Sequence, residues 1–234
     1  MVALSTIAVI LTAILFDLLI TRISYYLNVR RRNRLIIESG DASIPLSTSR
    51  LDIMVAPGAF HYKGHTWLQW KMDGSMVVGM NDLLHRVIGK LDEIRLPQPG
   101  HKLLRGEKSV MLRQGDKVLY LLSPASGIVT KVNEDVINNP SISKNDPYNA
   151  GWLYIMSPGD ADQDMAFLMV ARRAEEWMSR EKERMRNYFI DMLHKGNGKK
   201  GSAPKGLDGI MEGMDDETWV MFKDHFIYHK EWRG

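Results

Sequence analysis

The sequence predicts an α+β chain in three parts: an N-terminal transmembrane helix, a β-rich central domain and a C-terminal helical extension. Three observations predict it. Residues 2–20 form a nearly continuous apolar run, VALSTIAVILTAILFDLLI. Between Ala56 and Asp160, short apolar runs alternate with turn signals such as KMDGS, PQPG, RQGDK, SPASG, NNPS and NDPYNAG. From Ala161 the apolar residues recur at helical spacing between charged faces. The change of period from two to near four marks the passage from strands to helix.

The apolar run is close to the roughly 20 residues that cross a hydrocarbon core. A cleaved signal peptide would carry a basic segment before a shorter run and a small-residue cleavage site after it. Here the basic residues follow the run, at Arg22 and in RRRNR (Arg30 to Arg34), with Tyr25 and Tyr26 at the interface. These flanks predict an uncleaved single-pass anchor, with residues 1–37 as span and juxtamembrane helix. The positive-inside rule puts the remainder of the chain on the cytoplasmic side. Asp17 is the odd residue of the span. Two readings of it stand side by side: its carboxylate reaches the headgroups, or it hydrogen-bonds a partner helix within the membrane.

Composition narrows the function. The 234 residues carry a net charge of only +3, with basic residues clustered locally. A general nucleic-acid binder would spread them over one face among aromatics, so no nucleic-acid partner is expected. The chain has no cysteine, which excludes disulfides, thiolate metal sites and cysteine nucleophiles. No glycine-rich phosphate loop, serine elbow or H-E-x-x-H pattern is present. His225 and His229 have helical metal-ligand spacing but no identifiable third or fourth ligand, so no metal site is expected.

After the anchor, residues 38–55 are rich in Ser, Gly and Asp and read as a linker. Within the β-rich domain, 56–160, the stretch Asn81 to Leu91 is helical: Asn81 can cap it, and Leu84, Val87, Ile88 and Leu91 share a face. Residues 161–195 predict one long amphipathic helix with a stripe from Phe167 and Val170 through Ala174, Met178, Met185, Tyr188 and Met192. At 1.5 Å per residue such a helix is about 45 Å long, more than a small β domain can cover, so part of the stripe is expected to meet another protein or a second copy. Residues 196–206 are a flexible basic linker. Residues 207–234 form a short aromatic helix, whose Trp219, Phe222, Phe226 and Trp232 are the expected partner-binding residues. Docking of that helix on a membrane surface is the alternative, weakened by its mixed charge.

The central domain resembles the H protein of the glycine cleavage system, a member of the lipoyl-domain superfamily. The resemblance rests on YKGHTWLQW (Tyr62 to Trp70), on VVGMNDLLHRVIGKLDEIRLPQPGHKLLRGE (Val77 to Glu107), and above all on SPASGIVTKVNEDVINNPSISKNDPYNAGWLYIMSPGD (Ser123 to Asp160). It covers a little under half of the chain. It implies a barrel-sandwich hybrid of two small antiparallel sheets with short flanking helices. The motif residues also have physical uses: Gly100 and Gly127 suit turns with positive φ, Pro124 and Pro140 suit strand edges and loops, and Trp67 and Trp152 can fill a small core. His65 matches a strand residue of the family and is expected to be structural.

The family carries lipoic acid on a lysine at a hairpin tip, in a context like E-S-V-K-A. Aligned without a gap between Gly106 and Gly127, this chain places Asp116 at the lysine position, with Arg113 and Gln114 where the family has an acid and a serine. Lys117 falls one residue late, and a one-residue shift in a strand turns a side chain to the other face. Lys117 is therefore a poor substitute for the lipoyl lysine, and no cofactor is expected. The resulting expectation is a non-catalytic, membrane-anchored accessory subunit that binds other subunits of a membrane-associated complex, such as a respiratory or redox one. The alternative is a membrane-tethered lipoyl carrier with lipoate on Lys117. A membrane-fusion adaptor would place such a module outside the membrane, and an independent hydrolase or transferase finds no set of residues.

Overall fold

The computed structural model of the protein describes residues 53–159, 161–194 and 206–228. The expected transmembrane helix with Asp17, the basic flank, most of the first linker, the second linker up to Lys205 and the tail end with Trp232 lie outside the described residues. No helix among the described residues is long and apolar enough to cross a membrane.

Among the described residues, nine short strands make two antiparallel sheets. In chain order they are β1 (Phe60–His61), β2 (Thr66–Trp70), β3 (Met76–Met80), β4 (Glu93–Arg95), β5 (Lys102–Leu103), β6 (Lys108–Gln114), β7 (Lys117–Leu122), β8 (Gly127–Val132) and β9 (Tyr154–Pro158). The larger sheet runs β1-β2-β3-β9-β8-β5 and the smaller β4-β6-β7. The side-chain period of two divides the residues between faces. On β2 and β3, Leu68 pairs with Val78 and both enter the main core, whereas Trp67 pairs with Gly79 on the opposite face. There Trp67 joins Ala56, Ala59 and Tyr148 in a second, smaller cluster.

The first helix, α1 (Asp82–Ile88), forms where the spacing predicts it. Asn81 accepts a hydrogen bond from the Leu84 amide at 3.0 Å, which satisfies one of the open donors of the first turn. Leu84, Val87, Ile88 and Leu91 all face the core. Two one-turn helices, α2 (Glu134–Asn138) and α3 (Ser141–Asn145), follow the larger sheet's β8.

Three expectations are corrected here. The single helix from Ala161 is two: α4 (Ala161–Met165) and α5 (Arg172–His194). The break has a local cause. Met169 exchanges both backbone hydrogen bonds with His61, at 2.7 and 2.9 Å, and Ala171 takes φ of 50°, so the chain cannot continue as α-helix. Phe167 and Val170 consequently leave the stripe and are exposed. Second, the middle of the stripe packs on its own chain: Ala174, Met178 and Met185 are buried in the main core, Tyr188 packs against it, and Phe189 of α5 stacks on Phe222 with ring centroids 5.9 Å apart. Third, Gly127 is no turn glycine. It lies in β8, where a Cβ would collide with the Ser157 carbonyl of β9, so close backbone approach requires it. Gly100, with φ of 87°, does serve a turn.

The C-terminal segment returns over the barrel. After a 3₁₀ turn (Ile210–Gly213) comes α6 (Asp216–Phe222), continued by a π-helical turn (Lys223–Ile227). Asp215 caps α6 by accepting from the Thr218 amide at 2.8 Å. Trp219, Phe222 and Phe226 were expected to meet a partner; they are 3%, 0% and 0% exposed, packed inside the chain's own core. The physical reason is size. The two small sheets and α1 leave an apolar face that this segment covers with Leu207, Ile210, Met211 and the three aromatics.

Candidate functional site

The β6–β7 hairpin is where the family position falls, and the structure builds its tip from four residues. Gln114 pairs with Lys117, and Gly115 and Asp116 form the two-residue turn between them. Gly115 has φ of 58°, the left-handed conformation that a tight hairpin turn needs. Asp116 is exposed.

The tip is pinned from the side of α1 and β4. The Gly115 amide donates to Asp92 at 2.7 Å, and Gln114 Nε2 donates to the Ile88 and Lys90 carbonyls at 2.9 and 2.6 Å. Arg113 Nε donates to Glu93 at 2.6 Å, and a second hydrogen bond ties Glu93 to Arg95. The hydrogen bond from Arg113 is the main reason the Glu93 carboxyl sits below its ordinary range. Such a turn cannot slip in register without breaking several of these bonds at once.

Lys117 is the first residue of β7, and strand alternation puts its side chain on the face of Leu119 and Leu121, which are buried. That is the face the C-terminal segment covers. The Lys117 ammonium donates to the Met214 carbonyl, lies 4.0 Å from Asp216, and stands 5.7 Å from the Trp219 ring centroid, within cation–π range. Its side chain is 22% exposed. The three groups come from one stretch of six residues. Trp219 is itself fixed by a hydrogen bond from its indole Nε1 to the Met211 carbonyl at 3.1 Å.

The same segment holds the outer edge of β7. Lys223 donates to the Val118 carbonyl at 3.2 Å, and the Tyr120 amide donates to the Tyr228 hydroxyl at 2.8 Å. Lys108 sits over both the Tyr120 and Tyr228 rings, at 5.2 and 5.3 Å. On the α1 side, Glu212 accepts from the Lys90 amide at 2.7 Å and the Gly209 amide donates to the Arg86 carbonyl at 2.6 Å. Burial of each large apolar side chain in the segment is worth roughly 1.5–3 kcal/mol before ordering costs, so the cap is held mainly by its apolar face.

Lipoate does not fit this tip. An amide link needs an amine that reaches away from the hairpin. Asp116, at the family position, offers a carboxylate, and the amine of Lys117 is turned under the cap.

A second polar cluster lies beneath α5. His65, with φ of 63°, is fully buried; Asn81 Nδ2 lies 3.1 Å from its Nδ1 and Glu181 3.5 Å from its Nε2. Glu181 also receives two hydrogen bonds from Arg184, at 2.6 and 2.9 Å. Burial alone would raise the Glu181 carboxyl, but the bonds from His65 and Arg184 outweigh it and hold it below its ordinary value. Nearby, burial and then the His65 charge lower His61 to about 4. The cluster joins the barrel to the helix through polar contacts. Elsewhere His225 stacks on Tyr188 at 5.6 Å, and among the described residues no three potential metal-binding side chains gather.

Sequence reasoning located the hairpin turn at Gly115 and Asp116. It missed the clamp on Lys117, although the alternation of KVLYLL already turns Lys117 toward the side of the buried leucines. It also missed the His65–Glu181 pair, which joins positions far apart in the chain and has no local signal.

Comparison with known proteins places this geometry. The family model described as Glycine cleavage H-protein matches residues 60–181, so the match runs past the expected domain end at Asp160 and takes in the first part of α5 with Glu181. The glycine cleavage system H protein of Streptomyces coelicolor is 35% identical over 103 residues, which are 44% of this chain and 82% of that one. A probable glycine cleavage system H protein of Pyrococcus abyssi is 29% identical over 124 residues, 53% of this chain and 92% of its own. Among solved structures, the crystal structure of a glycine cleavage system H protein from Mycobacterium marinum superposes with a TM-score of 0.47 and 26% identity, over 54% of this chain and 98% of that chain.

Proposed function

Because the chain belongs to the glycine cleavage H-protein family, we propose that it is an arm-less member of it: a non-catalytic accessory subunit that uses the H-protein domain as a recognition module. The observation that carries this reading is the hairpin tip, where Asp116 stands at the aligned lysine position and the one neighbouring lysine is tied to the Met214 carbonyl. In this proposal residues 2–20 anchor the chain as a single pass and the domain lies on the cytoplasmic side. The apolar length of the run and the basic flank at Arg30 to Arg34 support it. The partners are other protein subunits of a membrane-associated complex, with Asp17 and the tail end at Trp232 as contact residues. Trp219, Phe222 and Phe226 are withdrawn from that role, because the chain's own core holds them.

The test is the intact mass of the protein from its native membrane, with peptide mapping across Gly106 to Gly127, in cells that lipoylate their other proteins. An unmodified peptide is expected. A lipoyl-sized increment on Lys117 would replace this reading by the carrier alternative, a membrane-tethered protein of glycine-cleavage type.

A further inference from the structure

The disagreement between the hairpin and its family's cofactor has a structural agent, the C-terminal segment. We infer that residues 214–219 are a cap that holds Lys117 out of reach of acyl donors, so that capping and acylation of this lysine exclude one another. The inference deepens the reading above and rests on it only in taking this hairpin as the place where the family's arm would be attached.

The chemistry of acylation defines what the cap must prevent. An activated acyl donor such as an acyl adenylate is attacked by Nζ; the new bond joins nitrogen to the acyl carbon, the adenylate leaves, and the ammonium loses two protons. The product amide is neutral and keeps a single N–H. It has no charge for Asp216 or for the face of Trp219, and it carries an acyl chain where those groups now stand. The reactant state is equally blocked. Attack needs a deprotonated amine open to the donor, whereas Lys117 donates to the Met214 carbonyl and is 22% exposed. Reaction therefore requires the stretch from Met214 to Trp219 to lift.

Lifting is not a local event. Met214 is buried, Trp219 is buried and bonded through Nε1 to the Met211 carbonyl, and the helix that carries Trp219 and Asp216 starts at the Asp215 cap. Phe222 and Phe226 continue the same apolar face into the core. Opening at Lys117 thus draws on the whole docked segment, and the lysine should report the population of the undocked form.

The experiment is competitive labelling of the full-length protein in detergent with an amine-reactive acetyl ester, read by peptide mapping. Exposed Lys102 is the internal standard. Lys117 is expected to react at least about tenfold more slowly than Lys102, the protection that a charged hydrogen bond within a docked segment provides. Two variants raise its rate: Trp219→Leu, which removes the ring, and Asp215→Ala, which removes the helix cap together with a carboxylate whose charge acts on Lys117. An unchanged Lys102 rate and a retained cooperative thermal unfolding transition show that the barrel stands. If Trp219→Leu fails to fold, Asp215→Ala decides. The inference is overturned if Lys117 in the unaltered protein labels as fast as Lys102, or if a folded variant leaves Lys117 as slow as before. The native mass in the preceding section is read on different material, so failure of one test leaves the other intact.

Discussion

Glu181 of α5 reaches across to His65 beside β2, 3.5 Å from its Nε2, and the two side chains are 7% and 0% exposed. This pair fastens the helix that follows the barrel to the barrel itself, with Trp177 against the imidazole at 5.4 Å. Replacing Glu181 with Ala removes the acceptor of two Arg184 hydrogen bonds and the carboxylate 3.5 Å from the buried His65 Nε2. A loss of about 1–3 kcal/mol is expected. Urea unfolding of the variant beside the parent measures it; a loss under a few tenths would show that the pair does not hold α5.

Acid should weaken the fold before any carboxylate explanation is needed. Burial pushes His61 down to about 4, with the His65 charge adding to it, and pushes His85 down to about 3, with Lys144 and Arg86 adding to it. Both folded values lie below the ordinary value near 6.5. Above that value neither state binds the proton and stability is flat. Below it the unfolded chain takes up protons that the folded chain refuses, so stability falls through the window from about 6.5 toward 4 for His61 and toward 3 for His85. Each histidine contributes a slope of roughly 1 kcal/mol per pH unit there. Denaturation midpoints measured every half unit from pH 8 to pH 4 check this; a flat line between pH 6 and pH 4.5 contradicts it.

Asp116 gives a gain-of-function prediction. Its side chain is exposed on a turn pinned through Gly115 and Gln114, so Asp116→Lys should change stability by less than about 0.5 kcal/mol. The variant lysine projects from the family's own position. Incubated with a lipoate-attaching enzyme, lipoate and ATP, Asp116→Lys should acquire a lipoyl group while the parent acquires none. Mass spectrometry of the Gly106–Gly127 peptide reads the result, and modification of Lys117 in either protein would run against it.

Gly79 tests the second core. A Cβ there would overlap the Trp67 indole, whose Nε1 donates to the Met80 carbonyl at 3.1 Å in a fully buried site. The ring cannot move aside without losing that bond and its contact with Tyr148, centroids 5.5 Å apart. Gly79→Ala is expected to cost about 1–3 kcal/mol and to alter the near-ultraviolet tryptophan signal. A thermal midpoint within a degree of the parent would dismiss the overlap.

Much of the β domain was legible because its signals are local. The Asn81 cap, the apolar face of α1 and the two-residue turn at Gly115 and Asp116 each follow from a few adjacent residues. The break before α5 was not, because it is set by the pairing of Met169 with His61, more than a hundred positions earlier, and by one left-handed alanine. Periodicity correctly grouped Ala174, Met178 and Met185 on one face but could not say what covers that face. The same held for Trp219, Phe222 and Phe226: a stripe states that burial is needed and is silent on whether the cover is a neighbour or the chain itself. Gly127 was misassigned because a glycine kept for lack of a side chain looks, in sequence, like one kept for its φ.

The outer edge of the three-stranded sheet has a further consequence. A bare edge strand offers a row of amides and carbonyls to any second chain, and copies held at high local concentration would zip together through it. On β7 that row is answered by side chains: Lys223 takes the Val118 carbonyl and Tyr228 takes the Tyr120 amide. A side chain satisfies the edge without presenting a new one, which a tenth strand could not do. The C-terminal segment therefore works as a terminator of sheet growth, and its loss by proteolysis would be expected to show first as clumping of otherwise folded domains.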